Sequence, residues 1–517
     1  MSALINGLTN PLATLLPPLL VLPLILFYRE RYRNLREGVI IGAGVLLFLI
    51  NLLIYREVMA GGTPVSGEMQ LLLGFSLKLS AEPMGVLFGL LASFLWIVTT
   101  VYSIGYMRDH HETHQTRFYA CFAIALASVM GAAYADNLLT LFVAYEVLSL
   151  STLPLVMHSG NEAARRAGRV YLIILMGSSI GLFLPAVIWV EILSGTLDFV
   201  PGGVLADTGI SKTGLAVMMG LFAFGIGKAA LMPLHRWLPA AMVAPTPVSA
   251  LLHAVAVVKT GVFALLKIVT YTIGIDTLSA SGAANWLLPF AAFTILVASC
   301  IAFTKDNLKA RLAYSTISQL SYIVMAALLA TTMSVSGGAL HIVMHAFGKI
   351  TLFFCAGAIL VAAHKDKISE MDGLGRRMPI TFAAFAIGAV GIIGLPPVGG
   401  SWSKLMIAGG AMESGLFWAL VLMLSTLLNI AYLLPIPIRA FFKPDPGVAP
   451  GEASPREEAS APMRWALSLT AAISVLLFFY PAPLAQVMAQ VMAQVMAQVM
   501  ALARKSESTT PSAARAC

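Results

Sequence analysis

The chain has 517 residues, 59% of them hydrophobic and 11% charged, with a mean hydropathy of +0.87. Soluble domains carry about 25% charged residues, so this composition excludes a soluble protein and leaves a polytopic α-helical membrane protein. The formal net charge of +8 does not point to nucleic acid, because the basic residues are scattered through short loops, where membrane topology accounts for them.

A bilayer is crossed by about 20 apolar residues. In chain order the predicted spans are 11–28, 39–56, 84–106, 118–135, 137–157, 170–194, 213–234, 247–273, 286–303, 312–332, 338–363, 379–397 (continuing brokenly to 412), 416–438 and 465–483. They number fourteen. The N-terminus lacks a basic leader, so the first run reads as a retained span and not a signal peptide. The first loop, YRERYRNLREG, holds Arg29, Arg31, Arg33 and Arg36. Placing it inside fixes every later loop by alternation, and the inside loops then hold 21 of the 32 Lys and Arg residues. A missed span would invert this bias downstream, and no inversion occurs. The expectation is a multi-pass protein of a bacterial-type cell inner membrane with both termini outside.

Between spans, residues 66–82 alternate loosely between polar and apolar and predict a short hairpin on the outer face. Residues 443–464 are rich in Pro, Ala, Glu and Ser and predict a flexible cytoplasmic loop. The tail repeats AQVM, and a four-residue period drifts about 40° per repeat around an α-helix. Val and Met then cover one slowly turning face, which suits a helix lying on a membrane surface or a partner; the alternative is a duplicated tail with no specific role. Cys121, Cys300, Cys355 and Cys517 are far apart and form no metal or disulfide pattern. The first three read as small buried hydrophobes. No G-x-G-x-x-G follows a strand, and no cofactor is expected.

Ionised groups at membrane depth cost a few kcal/mol or more and are rarely present without a use. Glu146 lies mid-span in the fifth run, Lys228 in the seventh, Lys259 in the eighth and Lys404 in the twelfth. His341, His345 and Lys349 follow one another at four-residue spacing in the eleventh, on one helix face. His253 precedes Lys259 by six residues and flanks the same region from another face. Lone membrane histidines commonly serve only as interhelical hydrogen-bonding groups, and a purely structural ion pair is the bland alternative for the Glu and Lys residues. Lys267, near a span end, is expected to snorkel to the interface. A row of such groups can pass protons stepwise, because moving one proton changes its neighbours' affinities.

Two spans carry proline and glycine breaks. Pro233, Pro239, Pro245 and Pro247 follow Lys228; Pro396 and Pro397 precede Lys404, with Gly394, Gly399 and Gly400 close by. Broken backbone at membrane depth is tolerated where it lines a cavity or is buried in protein. The breaks fall five spans apart, and an odd offset reverses membrane orientation. Spans 4–8 and 9–13 are therefore expected to be inverted repeats around an ion site. The expected organisation is 1–117 (spans 1–3), 118–274 (first repeat), 286–441 (second repeat) and 442–517 (loop, span 14 and tail).

The segments GKAALMPLHRWLPAAMVAPTPVSALLHAVAVVKTGVFALLK (227–267), KDNLKARLAYSTISQLSYI (305–323) and GLPPVGGSWSKLMI (394–407) resemble signatures of the antiporter-like subunits of respiratory complex I and of multisubunit Mrp-type cation/proton antiporters. The resemblance covers about residues 70–440. It implies fourteen helices, inverted repeats of helices 4–8 and 9–13, and broken helices 7 and 12. Glu146 and Lys228 match the family's fifth-helix glutamate and its seventh-helix lysine partner. Lys259 matches the central eighth-helix lysine, Lys404 the twelfth-helix ionisable residue, and His341 the eleventh-helix histidine. A lysine at 404 is similar to the MrpD-type component of Mrp antiporters and to the L-type component of complex I. PTPVSALLHAVAVVK is closer to the L-type and MrpA-type pattern. Lys259 argues against the inorganic-carbon-uptake relatives. The implied function is proton conduction in a multisubunit monovalent cation (Na⁺)/proton antiporter. The alternative is a proton-pumping subunit of a complex I-like oxidoreductase or membrane-bound hydrogenase, with the redox chemistry in other chains. A structural scaffold is the third reading. Expected partners are other membrane subunits, H⁺ and Na⁺ as transported ions, and the lipid bilayer, with no nucleic acid.

Overall fold

A computed structural model describes residues 7–70, 76–206, 208–445 and 456–509; the side chains of His253 and of residues 498, 499 and 501–509 are outside the described set. The chain is almost wholly helical, as a segment in hydrocarbon must be to satisfy its own backbone. The principal helices are α1 (Leu16–Tyr28), α2 (Arg33–Met59), α3 (Pro83–Asp109), α4 (Gln115–Ala133), α5 (Leu138–Val156), α6 (Glu162–Ser194) and α7 (Lys212–Gly225). They continue as α8 (Val257–Ile268), α9 (Leu288–Thr304), α10 (Leu308–Leu329), α11 (Thr332–Ala363), α12 (Pro379–Ile393), α13 (Gly400–Ser414), α14 (Leu416–Leu433), α15 (Ala461–Phe479) and α16 (Ala482–Thr509).

Among the described residues, ten helices are long and apolar enough to cross a membrane, and an eleventh counts if the pair Val257–Ile273 and Ile275–Ser281, bent by 85°, is one span. α7, α9 and α12 are shorter apolar helices on three more of the predicted spans. Every predicted span thus carries helix, but length and hydropathy alone do not reach fourteen. At spans 7 and 12 the breaks place irregular backbone where an unbroken helix would have supplied the missing length, whereas α9 is unbroken and, at 17 residues, simply short.

Burial sorts the helices. The apolar window of α10 is 94% buried and those of α3 and α11 are 78% buried, whereas those of α1, α2, α6 and α15 are 33–39% buried. α10, α11, α3 and the wholly buried α8 form the centre, and α1, α2, α6 and α15 face outward, with exposed Leu, Ile and Phe such as Leu20, Phe27, Ile173 and Ile192. Of the cysteines read as buried, Cys355 is buried and Cys121 half-buried, but Cys300 is exposed, on the outward face of α9. An apolar span shows which residues enter the membrane, not which face lipid. Cys517 lies outside the described residues.

Both predicted breaks are present. After Gly225 the chain leaves the α-helix at Ile226, makes one tight turn over Gly227–Ala229 and passes through left-handed Ala230 (φ +56°). α12 ends at left-handed Gly394 (φ +88°), and α13 starts at Gly400. α6 and the eighth span carry wide π-helical turns, at Ser179–Phe183, Leu251–Val255 and Val269–Ile273; such turns gather at functional sites.

One short motif recurs with its surroundings. Asp136-Asn137-Leu138 and Asp306-Asn307-Leu308 open α5 and α10 in the same way. Asn137 accepts from Thr140 N at 2.7 Å and Asn307 from Ala310 N at 3.0 Å, each capping its helix. Leu138 N donates to Leu197 O and Phe199 N to Asp136 O; Leu308 N donates to Asp366 O and Ile368 N to Asp306 O. The same antiparallel clasp recurs five spans apart.

The predicted hairpin pairs Met69 with Leu77 and Gln70 with Ser76, and it continues onto the start of α5 through an antiparallel bridge between Leu79 and Ala135. The 443–464 loop is tied at its second end: Glu458 accepts from Ile380 N (2.6 Å) and Thr381 Oγ1 (2.7 Å), capping α12; residues 446–455 lie outside the described residues. The AQVM tail, expected on a membrane surface or a partner, instead docks on its own chain. α16 packs on α3 and α11, buries Val487, Met488, Val491, Met492 and Val495, and hangs Gln490 Nε2 from Val58 O (3.2 Å) and Met59 O (3.4 Å).

Candidate functional site: a buried row of lysines and histidines

Lys228 sits at the break after α7, fully buried. The break frees carbonyls and turns the side chain across to α5, where Nζ donates to Tyr145 O (2.7 Å) and Ser149 Oγ (2.6 Å) and lies 3.0 Å from the centre of the Tyr145 ring. The Tyr145 hydroxyl accepts from Lys228 N at 3.1 Å, which fixes the broken backbone to the same residue. Glu146 is on the next position of α5. Both its carboxylate oxygens are buried and make no hydrogen bond among the described residues. The expected Glu146–Lys228 partnership is electrostatic and not a contact: Lys228 and Ser179 are the groups that act on the carboxylate, and no ion pair within 4.0 Å joins it to Lys228 among the described residues.

Lys259 is fully buried on α8 and its Nζ is 2.5 Å from Nδ1 of His345 on α11. His341, one turn earlier, has its ring 5.6 Å from that of His345 and its Nδ1 2.9 Å from Ser403 Oγ on α13. Nε2 of each histidine is buried with no hydrogen bond among the described residues. Lys349, one turn after His345, donates to Ser315 Oγ (2.7 Å) and Leu312 O (3.2 Å) on α10. Lys404 donates to Ile393 O (3.2 Å) and lies 4.7 Å from the Tyr322 ring, which stacks on His341 at 6.0 Å. The predicted shared face on α11 is real, but each member turns to a different neighbour: His341 to α13, His345 to α8, Lys349 to α10.

The row therefore falls into two groups. Glu146 and Lys228 act on each other. Lys259 and Lys404 both act electrostatically on His341, His345 and Lys349. The groups meet at Gly261 on α8, where an added Cβ would fall 2.6 Å from Lys228 C and 2.8 Å from Lys228 Cβ. Gly394 does the same for Lys404, with 2.6 Å to its Cδ. The π-helical turn at Leu251–Val255 carries His253, whose side chain lies outside the described residues.

Sequence reasoning missed the residues that hold the lysines, Tyr145, Ser149, Ser315 and Tyr322, and Ser403, which holds His341. Only Ser149 carried a signal, one helical turn from Glu146. Gln319, on α10, is buried with both amide atoms unpaired among the described residues. Lys267, expected to snorkel, is 1% exposed and bound to Glu82 Oε1 (2.5 Å) and Ala135 O (2.5 Å).

Comparison with known proteins agrees with this architecture. Residues 135–429 match the family model "NADH:quinone oxidoreductase/Mrp antiporter, TM". The chain is 31% identical to an NADH-quinone oxidoreductase subunit N from Desulforudis audaxviator over 78% of this chain and 79% of that one. It is 30% identical to an NADH-quinone oxidoreductase subunit L from Mycobacterium tuberculosis over 82% of this chain and 64% of that one. An NAD(P)H-quinone oxidoreductase chain 5 from Synechocystis is 32% identical over 62% of this chain, which spans about half (48%) of that relative's length. In fold, the chain is similar to one from the Mrp complex of a Dietzia species, with a TM-score of 0.81, 20% identity, and 95% and 97% of the two chains covered. A chain from an archaeal membrane-bound sulfane sulfur reductase follows at 0.78, with 22% identity and 95% and 97% covered. This multi-pass integral membrane protein is a member of the NADH:quinone oxidoreductase/Mrp antiporter transmembrane family.

Proposed function

We propose that this chain conducts protons as a component of a multisubunit Na⁺/H⁺ antiporter, along Glu146, Lys228, Lys259, His345, His341 and Lys404, with Lys349 and His253 beside the path. The observation that carries the reading is the Lys259–His345 pair. Two bases, Lys259 Nζ and His345 Nδ1, lie 2.5 Å apart in a site with no carboxylate within ion-pair distance among the described residues. A pair of that kind takes up and releases a proton in response to a neighbouring charge, and Lys228, Lys349 and Lys404 are such charges. The two inverted repeats, 118–274 and 286–441, then each contribute one broken helix, and both termini lie outside a bacterial inner membrane. Partners are further membrane subunits, as in the complexes that hold the relatives.

The test is cation/proton exchange in inverted membrane vesicles from cells carrying the whole complex. Lys228→Ala abolishes exchange while the complex still assembles; retained exchange refutes the reading. A redox-driven pump is the second reading, favoured by the relatives' identity as quinone oxidoreductase subunits. Purification with bound partners separates the two: redox subunits in the complex would move the driving reaction to those chains, and small hydrophobic partners alone support the antiporter.

A further inference from the structure

A second cluster of charges lies at the opposite end of α8 from the axis. Lys259 and Lys267 are eight residues apart on that helix, about 12 Å of rise. Lys267 is bound to Glu82 at the start of α3, and its ammonium lies 4.7 Å from the Phe199 ring and 5.8 Å from that of Phe263. Glu82, Lys267, Asp136 and Tyr271 line one cavity of about 410 Å³. The Tyr271 hydroxyl is buried without a hydrogen-bond partner among the described residues and is acted on by the Glu82 carboxylate. Asp136 continues outward to Lys78 at 3.2 Å, and Lys78 to Glu68 at 3.5 Å. Side-chain exposure rises along this order: 1% for Lys267, 16% for Glu82, 20% for Asp136, 22% for Lys78 and 51% for Glu68. Two bases and three acids thus run from the protein interior to its surface, with Glu82 and Asp136 as consecutive acids. Burial pushes the Asp136 carboxyl up against the pull of Lys78 and Lys267.

The same cavity is walled on one side by the tail helix. Gln494 and Ala497 of α16 line it, and one turn earlier Gln490 clamps the helix to the end of α2. The AQVM repeat supplies both halves of this arrangement: Val and Met bury against α3 and α11, and Gln recurs on the adjoining face.

We infer that the cavity between Glu82, Asp136, Lys267 and Tyr271 is the outer mouth of the proton path, and that the C-terminal helix is its wall. This rests on the proton-conducting reading above. The proton steps from Lys267 to Glu82 to Asp136 and out past Lys78, each acid regaining its charge as it passes the proton on.

The test uses the complete complex in vesicles. Lys267→Met lowers proton flux about tenfold or more, because it removes the group that hands the proton to Glu82, and Lys267→Arg does not restore it, since a guanidinium keeps its proton. Thr63→Cys places a thiol on the exposed rim of the cavity, and a charged, membrane-impermeant thiol reagent added outside blocks flux through that variant. Wild-type flux in Lys267→Met, or in the fully labelled variant at position 63, overturns the outer mouth while leaving the axis intact. If Lys267→Met fails to assemble, the labelled variant decides alone. If Lys228→Ala also conducts normally, the failure belongs to the proton-conducting reading itself.

Discussion

Tyr145 gives Lys228 three things at once: a carbonyl for its ammonium, an aromatic face 3.0 Å away and a hydroxyl for its backbone N–H. A buried ammonium needs such partners, because an unpaired charge in this medium costs several kcal/mol. Gly261 belongs to the same arrangement, since a side chain there would collide with the Lys228 backbone. Gly261→Ala is expected to lower stability by about 1–3 kcal/mol through overpacking and to slow proton flux by displacing Lys228. Gly177→Ala, on α6 with nothing within 4 Å of the new Cβ, is expected to be neutral or stabilising by about 0.5–1 kcal/mol. Thermal unfolding in detergent reads both, and equal losses at the two positions would sink the close-approach argument. The identity of the ionisable residues was legible in the sequence, because hydrocarbon makes each one conspicuous. Their partners were not, since serine and tyrosine are unremarkable inside a span and are brought in from helices 34 to 83 residues away.

Helices α5 and α10 show how an element is placed by its first residue. Asn137 and Asn307 each cap a helix with the side-chain oxygen and reach away with the amide, to Ser76 O at 2.9 Å and to Asp366 Oδ2 at 2.7 Å. Asn137→Ala and Asn307→Ala should each cost about 1 kcal/mol from the lost cap, read as lower thermal stability. A neutral change at both would show that the clasp and not the cap sets these helices. The broken helices were legible as clusters of proline and glycine. The shared Asp-Asn-Leu opening was not, because three residues are too short to stand out in a chain of this length. The tail misled in the other direction: its periodicity correctly showed an apolar face, and only packing could say that α3 and α11 cover it.

Across the whole molecule, charged loops staple one end of the bundle. Asp306 accepts from Ser369 N (2.9 Å) and Oγ (2.7 Å), and Asp372 from Arg439 Nε (2.6 Å) and Lys443 Nζ (3.3 Å). Ser369 holds the Asp306 carboxyl below the usual range and Arg439 does the same for Asp372. A carboxyl whose folded pKa is depressed adds stability above its unfolded value and loses it as pH falls through the folded one. The 366–373 segment is therefore expected to keep its hydrogen-exchange protection at neutral pH and lose it only below about pH 4. Asp306→Asn should weaken that protection at neutral pH. Protection unchanged down to the lowest pH tested would mean that these carboxylates do not hold the loop.

By itself the sequence determined the membrane class, the order of the spans, the two breaks and the row of Glu, Lys and His. Each of these follows from the cost of polar atoms in hydrocarbon, which acts on a residue wherever its neighbours are. The tertiary structure alone decided that Lys259 meets His345, that Lys228 rests on Tyr145 and Ser149 and not on Glu146, that Lys267 is held by Glu82, and that the tail closes on α3 and α11. Those are contacts between segments far apart in the chain. They are selected by the packing of whole helices, and no local pattern encodes them.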